Sequence, residues 1–369
     1  LIFRVTIFEP WANAPVIDRF TLGSFWSEAT DMVSYQILET KSSIDGCSLY
    51  RIERNPALDQ GVTEVVVSTS DSRVICNDPL ILGVEYTRRL GLASTKALRA
   101  LKQVGLFVGE ERSTHVLTIL RGGLNFQLRE AVAHAFDWNR HGSWFISAQR
   151  KIVNSASGEW EIVEDAYSKI YPEGSEVDVV FGDVVATGTS LRHGLNQLSE
   201  KRSASVRYRS VVFFTIGGAV AGEAVQEWKR SIEQLQGAPV SCVVVYLEGI
   251  FGVATASTPL RIKLEGTDLL RRDGVFAPEF EESQYENPCF PLERCSIYDA
   301  GSRAFHIPEY LEDVIDYWSQ VTQLARDGVG FDELLKERCP FVDSQRFARQ
   351  DLAQLAATQV ARLKRCLES

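Results

Sequence analysis

Residues 179–191 read VVFGDVVATGTSL. Val177, Val179, Val180 and Phe181 make a short apolar run, and Gly182 and Asp183 stand where such a run would end. A continuous apolar run bounded by turn residues fits a strand buried on both faces of a parallel sheet. Ala186, Thr187, Gly188, Thr189 and Ser190 then supply only small side chains before a helical pattern. Such residues let the main chain curl around an anion, toward which their amides, the hydroxyls and the helix N-terminus all donate. A phosphate is the expected occupant of this turn. The spacing is neither GxxxxGK nor GxGxxG, so neither a P-loop nor a dinucleotide turn is expected.

A second stretch of the same kind lies upstream. Residues 116–136, VLTILRGGLNFQLREAVAHAF, read as strand, tight turn and helix, with Arg121, Gly122 and Gly123 at the turn. Two glycines open backbone geometries closed to other residues, and arginine carries a fork of donors suited to pyrophosphate. Between residues 77 and about 305, THVLTIL, SWFISAQ, VDVVF, SVRYRSVVFFTI and VSCVVVYL alternate with helical patterns. That alternation predicts an α/β fold, a central parallel sheet flanked by helices. Residues 1–76 look strand-rich and read as a β-rich N-terminal addition to a core domain at 77–306. Residues 307–369 read as a helical C-terminal extension. Its last helix is expected to begin at the capping residues near Asp343, with Phe347, Leu352, Leu355, Val360 and Leu363 along one face.

Composition narrows the function classes. The chain has 369 residues, a formal net charge of −10 and 45% hydrophobic residues. An acidic balance argues against a chain whose main task is to neutralise a nucleic-acid backbone or an anionic membrane. The seven cysteines are scattered and include no CxxC pair. Neither a disulfide framework nor a structural zinc is expected, and a reduced, cytoplasmic setting is. No apolar run reaches the length of a membrane span, and the opening LIFRVTIFEPW does not read as a signal peptide. His134 and His141 have no partner pattern that assigns them a role, and His193, one turn into the helix after the phosphate turn and so within reach of a phosphate, reads as a surface helix histidine.

Over residues 77–306 the sequence resembles the type I phosphoribosyltransferases, and among them the uracil phosphoribosyltransferases. The apolar strand, acid and ATGTS run resemble the loop that binds phosphoribosyl pyrophosphate (PRPP). ILRGGL is similar to the family's ILRAGL pyrophosphate loop, ISAQR to a strand ending in an arginine, and AYSKI to the motif that closes a flexible hood. NDPLILGVEYTRRLGLASTKALRAL resembles the family's early helices, GTDLLRRDGVFAP the segment whose main chain reads the base, and YDAGSRAF a turn written GDAGDR.F. The resemblance implies a type I phosphoribosyltransferase-like sheet and transfer of ribose 5-phosphate from PRPP to a uracil-like or other heterocyclic base. It assigns Arg121, Gly122, Gly123 and Arg150 to pyrophosphate, and Asp183 to the ribose hydroxyls. Ala186, Thr187, Gly188, Thr189 and Ser190 fall to the 5′-phosphate, and Ala277, Asp299 and Gly301 to the base. Asp183, Arg121 and Arg150 would carry the catalysis. It also implies Mg²⁺, held chiefly by substrate oxygens and water, and a homodimer.

The departures from the family are specific. Uracil enzymes keep the first of two acids before the ATG turn, whereas Gly182 stands there and Asp183 takes the second place. The stretch 279–295, EFEESQYENPCFPLERC, intervenes where the family passes almost directly from proline to its GDAGD turn. Its acids, Glu279, Glu281, Glu282 and Glu286, read as a solvated loop, the usual fate of clustered charge. A PRPP- or nucleotide-sensing regulator with a retained pocket is the alternative to an enzyme.

Overall fold

The computed structural model describes residues 36–39, 45–53, 61–120, 122–154, 159–164, 167–171, 174–294 and 306–368. Strands β1 (Gln36–Glu39), β2 (Cys47–Glu53) and β3 (Val62–Thr69) lead into α1 (Ser70–Asn77) and α2 (Gly83–Gln103). Next come β4 (Thr114–Ile119), α3 (Gly122–Asn125), α4 (Leu128–Phe136) and β5 (Gly142–Ile146). A hairpin of β6 (Gln149–Asn154) and β7 (Glu159–Glu164) follows, then the short β8 (Ser168–Lys169). β9 (Glu176–Val185), α5 (Thr189–Glu200), β10 (Arg207–Gly217), α6 (Val220–Gln236) and β11 (Ser241–Val253) alternate, and β12 (Leu269–Phe276) returns along the sheet. The chain ends in α7 (Pro278–Ser283), α8 (Ile307–Arg326), α9 (Phe331–Arg338) and α10 (Leu352–Glu368).

Among the described residues one large sheet runs in the order β1-β2-β3-β11-β10-β9-β4-β5-β8, with β12 also on β11. The strands from β3 to β5 in that order are mutually parallel. β1, β2, β8 and β12 add to them antiparallel. This is the α/β arrangement that the alternating pattern predicts, with antiparallel strands joined to a parallel centre. The N-terminal strands belong to the same sheet, because β3 pairs with β11 from Val62↔Cys242 to Val67↔Leu247. Val177, Val179, Val180 and Phe181 on β9 are buried, as are Val211 to Phe214 on β10 and Cys242 to Leu247 on β11. Strands covered on both faces tolerate no polar alternation, which is why they read as unbroken apolar runs.

The C-terminal region departs from the sequence expectation in its last helix. Asp343 caps a single 3₁₀ turn, Ser344–Arg346, and α10 begins only at Leu352. There the Asp351 carboxylate accepts from the amides of Ala353 and Gln354 at 2.9 and 3.2 Å. Phe347 stands outside the helix, with ring centroids 5.6 Å from Tyr285 and 5.4 Å from Phe331. Two aspartate caps eight residues apart look alike in sequence, and the aromatic packing of Phe347 selects the second.

Glu248 marks the point where β11 changes partner. Up to Leu247 the strand pairs with β3, and from Gly249 it pairs with β12. Glu248 takes a left-handed φ of 67°, which costs a non-glycine residue on the order of 1 kcal/mol or more. Its fully buried carboxylate then reaches the end of β3, accepting from Ser68 Oγ at 2.6 Å, the Thr69 amide at 3.0 Å and Ser72 Oγ. Arg73 donates to Ser68 Oγ at 2.7 Å from outside this cluster. Burial pushes the Glu248 carboxyl up to about 7, against the opposing pull of those hydrogen bonds and Arg73.

A carboxyl whose folded pKa lies above its unfolded value binds extra proton in the native state, so its contribution to stability falls as pH rises from about 4.5 to 7. Glu248→Gln removes that titration. Urea unfolding of both proteins from pH 5 to 8 should show the variant gaining on the parent by up to ~3 kcal/mol across this range. Parallel stability curves would mean that Glu248 does not titrate there.

Candidate active site

Both glycine-bearing turns lie at the carboxyl ends of adjacent parallel strands. β4 runs into α3 and its chain moves outward to β5, whereas β9 runs into α5 and its chain moves the other way to β10. Open α/β sheets bind ligands in the crevice where successive connections diverge like this. Here that crevice lies between β4 and β9, bordered by Gly122 and Gly123 on one side and by Ala186 to Ser190 on the other.

Two glycines let these sides approach. A Cβ on Gly123 would stand 3.0 Å from the carbonyl oxygen of Gly182, so the start of α3 rests directly against β9. A Cβ on Gly182 would stand 3.1 Å from the ring of Phe126 and 3.1 Å from the carbonyl oxygen of Phe214. Phe126 is completely buried. This ring therefore closes over position 182, and glycine fits there.

Asp183 is buried at the end of β9, one Oδ accepting from the Val184 amide at 2.9 Å. It lies level with Thr215 of β10, which lies level with Tyr246 of β11. Gly188 adopts φ +80° at the N-cap of α5, the left-handed geometry that turns the chain into the helix. No side chain caps this end of α5, and Thr187 and Thr189 bring their hydroxyls within 3.1 Å of each other. The first turn of a helix offers amides without intrahelical acceptors, and hydroxyls beside them complete an anion cradle.

The turn after β10 supports this cradle, a role the sequence reading missed. The Gly218 amide donates to the Val185 carbonyl at 2.9 Å, and a Cβ on Gly217 would stand 2.4 Å from that same oxygen. Val220, at the start of α6, lies against Gly188. The signal was present in residues 214–220, FTIGGAV, which repeat the strand, double glycine and helix plan of the upstream turn. On the other side Gly266 faces the 186–190 turn, since a Cβ added there would stand 3.4 Å from Thr187 Cγ2.

The remaining expected residues divide. Arg121, Asp299 and Gly301 lie outside the described residues. Arg150 belongs to β6, whose hairpin leaves the carboxyl end of β5 and returns through β8, paired antiparallel on β5. Ala277 is buried with its main chain engaged: its amide donates to the Glu248 carbonyl at 2.9 Å, and its carbonyl accepts from Phe280 and Glu281 at 2.9 and 3.1 Å. His193 is held to the Ser147 carbonyl at 3.2 Å and His141 to that of Arg129 at 3.0 Å, while His134 lies on α4. Among the described residues no three His, Cys, Asp or Glu side chains gather as a metal cluster, and no helix is long and apolar enough to cross a membrane.

The expectation of a solvated loop at 279–295 is corrected over its described part. Phe280, Gln284, Leu292, Glu293 and Arg294 are buried. Phe280 packs at 5.1 Å from Phe276, and Glu279 accepts from Tyr50 at 2.7 Å and from Ser48. Burial alone pushes the Glu281 carboxyl up to about 7, and Glu282 pairs with Arg346. Fully buried Arg271 ties the segment to the core through Gln284 Oε1 at 2.7 Å and the Cys76 carbonyl at 2.9 Å. Glu282 and Glu286 stay exposed, whereas Glu279 and Glu281 are half-buried on a segment anchored by buried Phe280 and Leu292.

No protein-family model matches the chain, and no curated protein does. Solved structures similar to parts of it include a hypoxanthine-guanine phosphoribosyltransferase from Bacillus anthracis, 22% identical over 36% of this chain and 69% of that one, with a TM-score of 0.25. An adenine phosphoribosyltransferase from Trypanosoma brucei is 14% identical over 51% of this chain and 76% of its own, with a TM-score of 0.24. A hypoxanthine phosphoribosyltransferase from Trypanosoma cruzi is 16% identical over 53% of this chain and 93% of its own, also with a TM-score of 0.24.

Proposed function

We propose that this protein is a phosphoribosyltransferase that moves ribose 5-phosphate from PRPP to a uracil-like or other heterocyclic base and releases pyrophosphate. The observation that carries the reading is the pair of glycine-bearing turns at the carboxyl ends of β4 and β9, joined where Gly123 meets Gly182. Each turn suits one anionic end of the same substrate.

In this reading the amides and hydroxyls of Thr187 to Ser190 take the 5′-phosphate, and Asp183 accepts from the ribose hydroxyls. Gly122, Gly123, Arg121 and Arg150 are assigned to the pyrophosphate. The bond between the anomeric carbon and the pyrophosphate oxygen breaks as a bond to the base nitrogen forms, and positive charge develops on the sugar between them. Positioning and electrostatic stabilisation supply most of the acceleration, so no strong base or nucleophile is required. Mg²⁺, when bound, neutralises pyrophosphate charge while keeping several waters. Asp183, the buried acid at the crevice, suits that sparse demand on protein ligands. A cytoplasmic homodimer belongs to the same proposal, as does a base site near Ala277, Asp299 and Gly301.

One observation favours a second reading, a PRPP- or nucleotide-sensing protein: Phe126 occupies the place of the first acid. Turnover separates the two. PRPP, Mg²⁺ and a panel of pyrimidine, purine and pyridine bases, followed by mass spectrometry, should yield a new ribonucleotide and pyrophosphate. PRPP binding without product from any base would favour the sensor. PRPP at 100 times its Kd should stabilise the fold by about 2.7 kcal/mol, and absence of any thermal shift would remove both readings.

Two substitutions sharpen the assignment. Asp183→Asn should lower kcat/KM for PRPP at least about tenfold, a loss of roughly 1.4 kcal/mol, with an unchanged unfolding midpoint. An unchanged rate would take Asp183 out of the ribose site. Gly182→Asp should destabilise the protein by about 1–3 kcal/mol through overpacking against Phe126, without raising turnover. A stable, faster variant would show that the first acid's place is open.

A further inference from the structure

The segment 254–268, between β11 and β12, lies beside the proposed phosphate turn at one end, where a Cβ added to Gly266 would meet Thr187, and bonds to the C-terminal helix α9 at the other. Its interior is built as a fixed body. Lys263 Nζ donates to the carbonyls of Thr255, Ala256 and Thr258 at 2.7, 2.7 and 2.9 Å. The Gly266 amide donates to the Ala254 carbonyl at 2.8 Å, and Asp268 accepts from the Leu264 amide at 2.8 Å. Gly266, at φ +67°, presents its open face to the Thr187 methyl.

Helix α9 grips the far side of this body. The Glu337 carboxylate accepts the Arg261 amide at 2.8 Å and also the Arg261 guanidinium, which reaches Glu333 as well. Arg338 donates to the Ile262 carbonyl at 2.9 Å, and Arg272 of β12 donates to the Glu337 carbonyl at 2.9 Å. Glu337 is nearly buried, and it holds backbone and side chain of one residue together. A carboxylate that accepts both the amide and the guanidinium of one residue fixes position more firmly than a single ion pair, even with the arginine exposed.

We infer that α9, acting through Glu337 and the 254–268 segment, sets the position of Thr187 in the phosphate turn, which makes Glu337 a positioning residue for PRPP. The inference rests on the proposed reading of that turn. Its chain of contacts runs from Glu337 to Arg261, along the lysine-tied segment to Gly266, and from Gly266 to Thr187. Removing the grip leaves the cradle's own residues intact while letting one wall drift, and ångström-scale drift in a positioning wall costs orders of magnitude in rate at worst.

Glu337→Ala and the more exposed Arg261→Ala test this, with Glu337→Gln as the conservative variant. Both alanine variants should raise KM for PRPP about tenfold with kcat within about twofold, and Glu337→Gln should recover most of the loss. Hydrogen exchange on the ligand-free proteins should rise both in 254–268 and in the first turn of α5, and stay unchanged in β9. Faster exchange confined to 254–268 would overturn the inference, as would parent-like PRPP binding in a variant whose segment has loosened. If the parent protein binds no PRPP, the functional reading fails by itself, and exchange in the first turn of α5 still decides the coupling.

Discussion

The contact of Gly123 with the carbonyl of Gly182 is the constraint from which the rest of the site follows. With a would-be Cβ 3.0 Å from that oxygen, a larger residue at position 123 requires β9 to give by a few tenths of an ångström. That closeness presses α3 onto β9, brings Phe126 over Gly182, and leaves Asp183 as the acid at the end of the strand. Three consequences, the joined turns, the buried ring and the carboxylate left at the strand's end, come from one backbone approach.

A second tier of interactions holds that geometry from behind. β10 and β11 carry the level of Asp183 across the sheet, and the glycines after β10 tie the end of β9 to the start of α6. Glu248 ends the pairing of β3 and begins that of β12, its carboxylate filling the gap left at the end of β3. Strained backbone and a buried acid occur at the same residue, and each makes sense of the other: only the left-handed turn carries the side chain to three waiting donors.

What the sequence disclosed follows the range of the forces involved. The parallel strands were legible because double-sided burial writes itself as uninterrupted valine, isoleucine and phenylalanine. The strand, turn and helix around Gly188 were legible because small residues and hydroxyls crowd into five positions, and FTIGGAV could have been read by the same rule. The packed state of 279–294 was not legible, since its partners Ser48, Tyr50 and Arg346 lie far off in the chain. Local charge counted the acids correctly and missed the distant groups that receive them. The start of α10 was misplaced for a related reason: two aspartates cap equally well locally, and Phe347 is settled by Tyr285 and Phe331.

The pairing of β3 with β11 also bears on how the chain assembles. Ser68 and Glu248 meet across 180 residues of sequence. During synthesis the N-terminal strands are complete long before their partner exists, and they wait with an unpaired, apolar edge. Non-local pairing of this kind slows folding, and an uncovered edge invites pairing with other chains. The same join makes residues 1–76 hard to remove: a fragment that begins at 77 would bare the side of β11 that β3 covers, so this sheet has no clean seam at which the chain can be cut.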